Sequence, residues 1–292
     1  MEGKSKQHTL WLLAAVSAPL AHYSGCGWGS VLTAVSVTLP LTLIPKCWEG
    51  MSRMLALIQM IWLGAVAGIL IQNSAVYWPS DQKLVVPMTL LVLTAYTAKE
   101  SAPRIGAVLA FCIGLLALPV AVTGATRVEP EWLHRSGTSW PADISLVLLF
   151  PALPAAEEGR RIRRSLWAGL VAVMMSLLVQ GTISPQVAAS VPDPFFQTVR
   201  TLGYLEPITA AGMTLGWYAM AIYLFQSAIL IAKNSNIGGK TAYVLPVGTA
   251  TGAVLLKWQL DIQKCLVLSV SLWVLMPFLA KIKKSKKDEK RC

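Results

Sequence analysis

The sequence predicts an all-α polytopic membrane protein with about ten transmembrane helices, and two observations support this fold class. Of the 292 residues, 55% are hydrophobic and only 13% are charged, whereas a soluble domain carries about 25% charged residues. The apolar residues also fall into runs of about 15 to 25, long enough to cross most or all of a bilayer as helices. Short polar turns separate these runs, as expected for a chain that crosses a membrane repeatedly.

Ten apolar segments can be delimited along the chain. Their approximate bounds are 10–28, 29–44, 54–77, 84–98, 105–126, 144–156, 166–183, 207–232, 243–256 and 265–280. We predict that residues 1–280 form a single transmembrane domain. Residues 281–292 are strongly basic and are predicted to form a cytoplasmic tail, which we interpret as a plain stop-transfer anchor; contact with anionic lipid is the alternative.

The distribution of basic residues predicts the orientation. If ten spans alternate from an interior N-terminus, 19 Lys and Arg lie on the interior side and 6 on the exterior side, together the 25 of the chain. Cytoplasmic loops of membrane proteins carry such an excess of Lys and Arg. Both termini are therefore predicted to be cytoplasmic. The net charge of +11 then needs no nucleic-acid partner.

Motifs for catalysis and metal binding are missing from the sequence. The chain has no GxSxG, HExxH or P-loop motif and no paired carboxylates within a span, so we expect no enzyme activity. The five cysteines form neither a CxxC pair nor a metal-ligand spacing, and no metal or cofactor is predicted. The first segment also resembles a lipoprotein signal peptide cleaved before Cys26, but the apolar pattern resumes at once.

Two apolar segments are interrupted, and they predict where a ligand binds. Pro19 and Gly25 interrupt the first segment, and Pro151 and Pro154 the sixth. In a chain of two inverted five-helix repeats these positions correspond, and paired broken helices indicate a transporter-like site near the midplane. Unwinding frees backbone groups that must face a ligand, an ion or water. The polar residues beside the breaks are Ser17, His22, Tyr23, Ser24, Asp143 and Ser145; for each, ordinary packing is the alternative.

The stretch from residue 192 to 232 predicts a gate next to this site. A short amphipathic segment carrying Arg200 and Glu206 precedes the uncharged eighth segment. Charges so close to the hydrocarbon region are costly unless they are paired or face water. We predict that the two residues help to close the exterior side of the core. The alternative is a solvated ion pair on an interfacial helix.

Several stretches, taken in order, resemble the endospore germination permeases. These permeases are the integral-membrane B subunits of spore germinant receptors, within the amino acid–polyamine–organocation superfamily. The resemblance covers most of the chain. The stretches that carry it are GCGWGSVLTA (25–34), LTAYTAKESAPRIGAVL (93–109), FPALPAAEEGRRIRRSLWAG (150–169), PDPFFQTVRTL (192–202) and LPVGTATGAVLL (245–256).

The resemblance implies a sensor in the inner spore membrane of a bacterium. A small amino-acid-type germinant would bind the broken-helix core, and the signal would pass to a membrane A subunit and a lipoprotein C subunit. The alternative is an amino acid or amine transporter coupled to H⁺ or Na⁺.

A zwitterion is the ligand that broken helices favour. A half-helix N-terminus offers N–H groups and a positive dipole end to a carboxylate, and an acid such as Asp143 suits an ammonium group. We expect the site between the first, third, sixth and eighth segments, with Tyr96 and Trp217 as possible walls. His22 is the strongest candidate, since an imidazole in an apolar span is costly without a partner.

Overall fold

The computed structural model describes residues 2–22, 52–99, 102–134, 161–191, 193–257 and Leu272, and every regular element among them is helical. The α-helices, numbered in chain order, are α1 Glu2–His22, α2 Arg53–Asn73, α3 Val85–Thr97, α4 Ala102–Ala125, α5 Pro130–His134, α6 Arg161–Thr182, α7 Pro185–Ser190, α8 Pro194–Leu202, α9 Glu206–Asn234 and α10 Gly239–Leu255. Short 3-10 helices cover Ser74–Tyr77 and Ser80–Gln82.

Three helical stretches are long and apolar enough to cross a membrane: Arg53–Tyr77, Pro103–Ala125 and Glu206–Asn234. These three stretches agree with the helical membrane protein that the composition predicts. The exposed side chains of α4 are large and apolar, for example Phe111 and Leu115. Without lipid or a partner such a face would be costly in water.

Side-chain caps determine where the shorter helices begin. The Ser184 hydroxyl accepts a hydrogen bond from the backbone N–H of Val187 at the start of α7, and Asp193 caps α8 in the same way. A proline follows each cap, where the first helical turn needs no N–H donor. Gly203 ends α8 with a φ of 107°, a conformation that glycine adopts without steric cost.

Helix α9 is the centre of the packing. Its side chains of Trp217, Met220, Tyr223 and Leu224 are fully buried, and it contacts α1, α2, α3, α4 and α10. The approach of α1 is very close at Gly216, where an added Cβ would lie 2.7 Å from the Cβ of Ala18. The glycine therefore allows these two helices to pack backbone to backbone.

A second close pair consists of α2 and α10. Gly64 and Gly68 of α2 are four residues apart, and a Cβ added at either would overlap the backbone of α10 at Pro246 or Ala250. This is the GxxxG arrangement, in which small residues let two apolar helices touch along their backbones.

Two groups of polar contacts between the described helices lie at opposite ends of α9. Near its first residues lie the end of α1, the 3-10 turn at Tyr77 and helix α8. Towards its last residues, Gln226 Nε2 donates to the Ala98 carbonyl, and the Lys99 ammonium lies 5.4 Å from the centre of the Tyr243 ring. The bundle thus has one end containing His22 and one containing Lys99.

Pro19 does not interrupt the first helix, contrary to the sequence-based prediction. It lies inside α1, which continues to His22. A proline removes one backbone hydrogen bond, and packing against neighbouring helices can keep such a helix continuous. Residues 18, 20 and 21 are all buried. Gly25 and the predicted break of the sixth segment lie outside the described residues.

Candidate functional site

A buried hydrogen-bonded cluster joins three separate parts of the chain at one end of the bundle. His22 Nδ1 lies 3.0 Å from Asp193 Oδ2, and the Tyr77 hydroxyl donates to the same oxygen at 2.5 Å. The other carboxylate oxygen of Asp193 accepts from the backbone N–H of Phe196 at 2.9 Å. An ionised carboxylate only accepts hydrogen bonds, so Nδ1 of His22 carries the proton when Asp193 is ionised.

Aromatic rings surround this cluster and limit its contact with solvent. The side chain of Asp193 is 6% exposed and that of His22 is 13% exposed. The His22 ring meets Trp217 edge to face at 5.7 Å, and the Tyr77 ring lies 5.0 Å from Phe196. Burial of this kind strengthens each hydrogen bond and makes the loss of a single partner costly.

Next to the cluster lies a small cavity of about 40 Å³ that is partly open to the surroundings. Helices α1, α4, α6, α8 and α9 all contribute to its walls. Ala21, which precedes His22, and Phe195, two residues after Asp193, both line it. The other walls are mostly aliphatic, with Leu116 of α4 and Met175 of α6 among them.

Two polar side chains face this apolar cavity. The Ser17 hydroxyl donates to the Ala14 carbonyl at 2.7 Å and keeps its lone pairs free to accept. The Thr209 hydroxyl oxygen is buried and has no hydrogen-bond partner. The indole N–H of Trp217, one helical turn beyond the cavity residue Met213, also has none. Buried polar groups are normally satisfied, and of these two donors only Thr209 lines the cavity, so its hydroxyl is the one available to a bound molecule.

The structure brings together three of the predicted site residues. Ser17 lines the cavity, His22 belongs to the adjoining cluster, and Trp217 contacts the His22 ring. Four others, Tyr23, Ser24, Asp143 and Ser145, lie outside the described residues.

Two parts of the predicted site do not line this cavity. Tyr96 is 70% exposed on the outer face of α3 and does not line the cavity. Its neighbour Thr97 points inward instead and hydrogen-bonds the Tyr218 hydroxyl at 2.7 Å, because adjacent helical residues project about 100° apart. The third segment, α2, also supplies none of the described wall residues, since it packs on α10 instead.

The predicted gate residues form an ion pair. Arg200 Nε lies 3.3 Å from Glu206 Oε1, and the guanidinium carbon lies 5.3 Å from the centre of the Phe196 ring. The two side chains are 54% and 45% exposed. Water therefore screens the charges of this pair. The pair lies at the protein surface and connects the end of α8 to the start of α9.

Sequence reasoning missed Asp193, Tyr77 and Thr209. The Asp-Pro pair at 193–194 signals a helix cap, and the structure adds a second role through the other carboxylate oxygen. Tyr77 is the last residue of the third predicted span, and nothing in that span points to a carboxylate partner. No local pattern distinguishes Thr209 from other helical threonines, because its missing partner is a tertiary property.

Within the described part of the chain, no three His, Cys, Asp or Glu side chains come close enough together to bind a metal ion. No protein-family model matches the chain, and a search of curated proteins finds no significant match. The site is therefore interpreted from its own geometry.

Proposed function

We propose that this chain is the integral-membrane subunit of a spore germinant receptor, which senses a small amino-acid-type germinant and triggers germination. The observation that carries the proposal is the cavity between α1 and α9 with the His22 cluster at its edge. A molecule bound there touches five helices at once. Its binding can therefore change how those helices pack, which is what a sensor requires.

The proposed fold has about ten spans, two inverted five-helix repeats and cytoplasmic termini. The two ends of the bundle support alternation of the spans. The ends of the first and third predicted spans, at His22 and Tyr77, meet at one end with Asp193. The end of the fourth, at Lys99, and the start of the ninth, at Tyr243, meet at the opposite end.

Ligand binding is tested by the melting temperature of the purified full chain in detergent with single L-amino acids. A germinant at a hundred times its dissociation constant adds about 2.7 kcal/mol to the stability, and we expect at least one amino acid to raise the melting temperature. Co-purification with a membrane A subunit and a lipoprotein C subunit tests the receptor assignment. If no amino acid shifts the melting curve and neither subunit co-purifies, the proposal fails.

A second candidate function is a transporter coupled to H⁺, and the His22–Asp193 pair favours it. The pair is largely buried and joins α1 to α8, two elements that must separate if the cavity opens at this end. Buried ionisable pairs in membrane proteins are typical of proton relays. Uptake of a labelled amino acid into proteoliposomes, driven by a pH gradient and lost in Asp193→Asn, would identify a transporter.

A further inference from the structure

We infer that the cavity between α1, α4 and α9 takes the uncharged aliphatic part of a ligand, and that Thr209 supplies a specific hydrogen bond to it. This inference rests on the proposed function and specifies the ligand class of the same site. The aliphatic part can be the side chain of an amino acid or the body of a neutral amphiphile. Both present branched hydrocarbon next to a hydrogen-bonding group.

The lining determines the class of group that fits. Of the described residues that line the cavity, only Ser17 and Thr209 are polar and none is charged. An ammonium or carboxylate group moved into such surroundings loses its hydration without gaining an opposite charge, which is costly. Leu116, Met175 and Met213 instead offer flexible hydrocarbon and thioether surface, to which an aliphatic group adapts well. The described lining therefore favours an aliphatic group over a charged side chain.

Thr209 differs from six other helical threonines in its hydrogen bonding. Six others donate their hydroxyl to the carbonyl four residues earlier: Thr94, Thr182, Thr198, Thr214, Thr249 and Thr251. The Thr209 side chain does not, although the residue is only 5% exposed and its backbone N–H bonds to Leu205. A hydroxyl buried without a partner is unfavourable. A ligand oxygen or nitrogen at this wall would satisfy it.

The position of the charged groups of an amino acid follows from the same geometry. The cavity wall at Ala21 and Phe195 adjoins the cluster of His22 and Asp193, where polar hydrogen bonds already exist. An amino acid whose side chain fills the cavity would place its charged end towards this cluster. A neutral amphiphile would need no contact there.

The test measures binding to the purified full chain by calorimetry and by thermal shift. The probes are L-leucine, L-lysine, L-glutamate and the neutral alcohol 3-methyl-1-butanol, which carries the isobutyl group of the leucine side chain on a hydroxymethyl group. We expect L-leucine or the alcohol to bind and the two charged amino acids to bind at least about 10-fold more weakly.

Two variants locate the site. Thr209→Val keeps the shape of the side chain and removes the hydroxyl. It should weaken the binding of the tightest-binding probe about 3- to 10-fold. The matched control is Thr251→Val on α10, whose hydroxyl bonds within its own helix at 2.8 Å; it should leave binding unchanged.

Gly212→Leu extends an aliphatic chain from a wall residue and should abolish binding, while the ligand-free melting temperature and gel-filtration profile show that the variant folds.

The outcomes separate this inference from the proposed function. Binding of leucine supports both, and binding of the alcohol alone supports the inference and contradicts an amino-acid germinant. Binding of lysine or glutamate as tightly as leucine, unaffected by Thr209→Val, overturns the inference and leaves the proposed function standing. No binding by any probe overturns the inference.

Discussion

Asp193 connects three segments through two oxygen atoms. It lies 171 positions from His22 and 116 from Tyr77 along the chain, and it also caps α8. Each hydrogen bond to a charged group contributes about 1.5 to 3 kcal/mol when it is well made. The cluster therefore holds α8 against the ends of α1 and the Tyr77 turn, and individual substitutions in it should be costly.

The first prediction concerns the coupling of His22 and Asp193. We expect His22→Ala to lower the free energy of unfolding by about 1 to 3 kcal/mol, because it leaves a buried carboxylate oxygen with one donor fewer. In an Asp193→Asn background the same substitution should cost clearly less. Denaturation in mixed detergent, followed by circular dichroism, measures all four proteins of the cycle.

A third variant, Tyr77→Phe, serves as the comparison for this cycle, and additive effects would contradict the prediction. Tyr77→Phe keeps the ring against Phe196 and removes one hydroxyl donor to the carboxylate, so its cost should be about 1.5 to 3 kcal/mol. Additive effects of His22→Ala and Asp193→Asn would show that the two side chains do not stabilise each other. An unchanged ligand shift in His22→Ala would remove the histidine from the proposed ligand site.

The second prediction concerns the exposed pair of Arg200 and Glu206. Because both side chains are about half exposed, we expect a coupling energy below about 1 kcal/mol, which falls further as salt is added. A double-mutant cycle with Arg200→Gln and Glu206→Gln, measured in low and high salt, gives this energy. A coupling energy of several kcal/mol that does not change with salt concentration would instead indicate that the pair is buried when the protein functions.

At the scale of elements, α9 sets the arrangement of the bundle because the helices around it approach at small residues. Its fully buried Trp217 and Tyr223 fill the spaces on either side of Gly216. Tyr223 meets the ring of Trp11 from α1 at 4.8 Å. Small and large residues thus alternate along one interface, which fixes how α1 sits on α9 and, with it, the position of Ser17 in the cavity.

The third prediction follows from this interface. Gly216→Ala should destabilise the protein by about 1 to 3 kcal/mol, because the new methyl group would lie 2.7 Å from the Ala18 Cβ and α1 would have to move. Gly252→Ala on α10 is the matched control, since no described atom beyond the neighbouring backbone of its own helix lies within 4 Å of its added Cβ. This control should be neutral or stabilising by up to about 1 kcal/mol. Equal melting temperatures for the two variants would contradict the close contact.

At the scale of the whole molecule, polar contacts and charges are divided between the two ends. His22, Tyr77, Asp193 and the Arg200–Glu206 pair lie at one end. Lys99 and Tyr243 lie at the other. The proposed orientation places the first end outside and the second inside, in keeping with the excess of Lys and Arg expected on the cytoplasmic side.

The fourth prediction tests that orientation. Reporter fusions after Arg135 and after Lys240 should report opposite sides of the membrane, with the Lys240 fusion cytoplasmic. Five spans precede the first position in the proposed topology and eight precede the second, so the two differ by an odd number of crossings. The same side for both would contradict the ten-span arrangement.

The sequence by itself determined the class of the protein and the positions of most described helices. The predicted spans 54–77, 84–98, 105–126 and 207–232 agree closely with the Arg53–Tyr77 stretch, α3, α4 and α9. Apolar runs bounded by polar turns are local properties, because the bilayer thickness and the backbone hydrogen bonds impose them on each segment separately.

Only the tertiary structure decided which polar side chains meet. Ser17 and His22 could be singled out from the sequence because polar groups in an apolar run need partners, but nothing local identified Asp193 as the partner. We expected Pro19 to break the first helix, but α1 continues through it to His22. The side chain of Tyr96 faces outward, whereas that of Thr97 faces the interior. Partner choice depends on how helices distant in sequence rotate and pack against one another, and neither periodicity nor composition along a single chain contains that information.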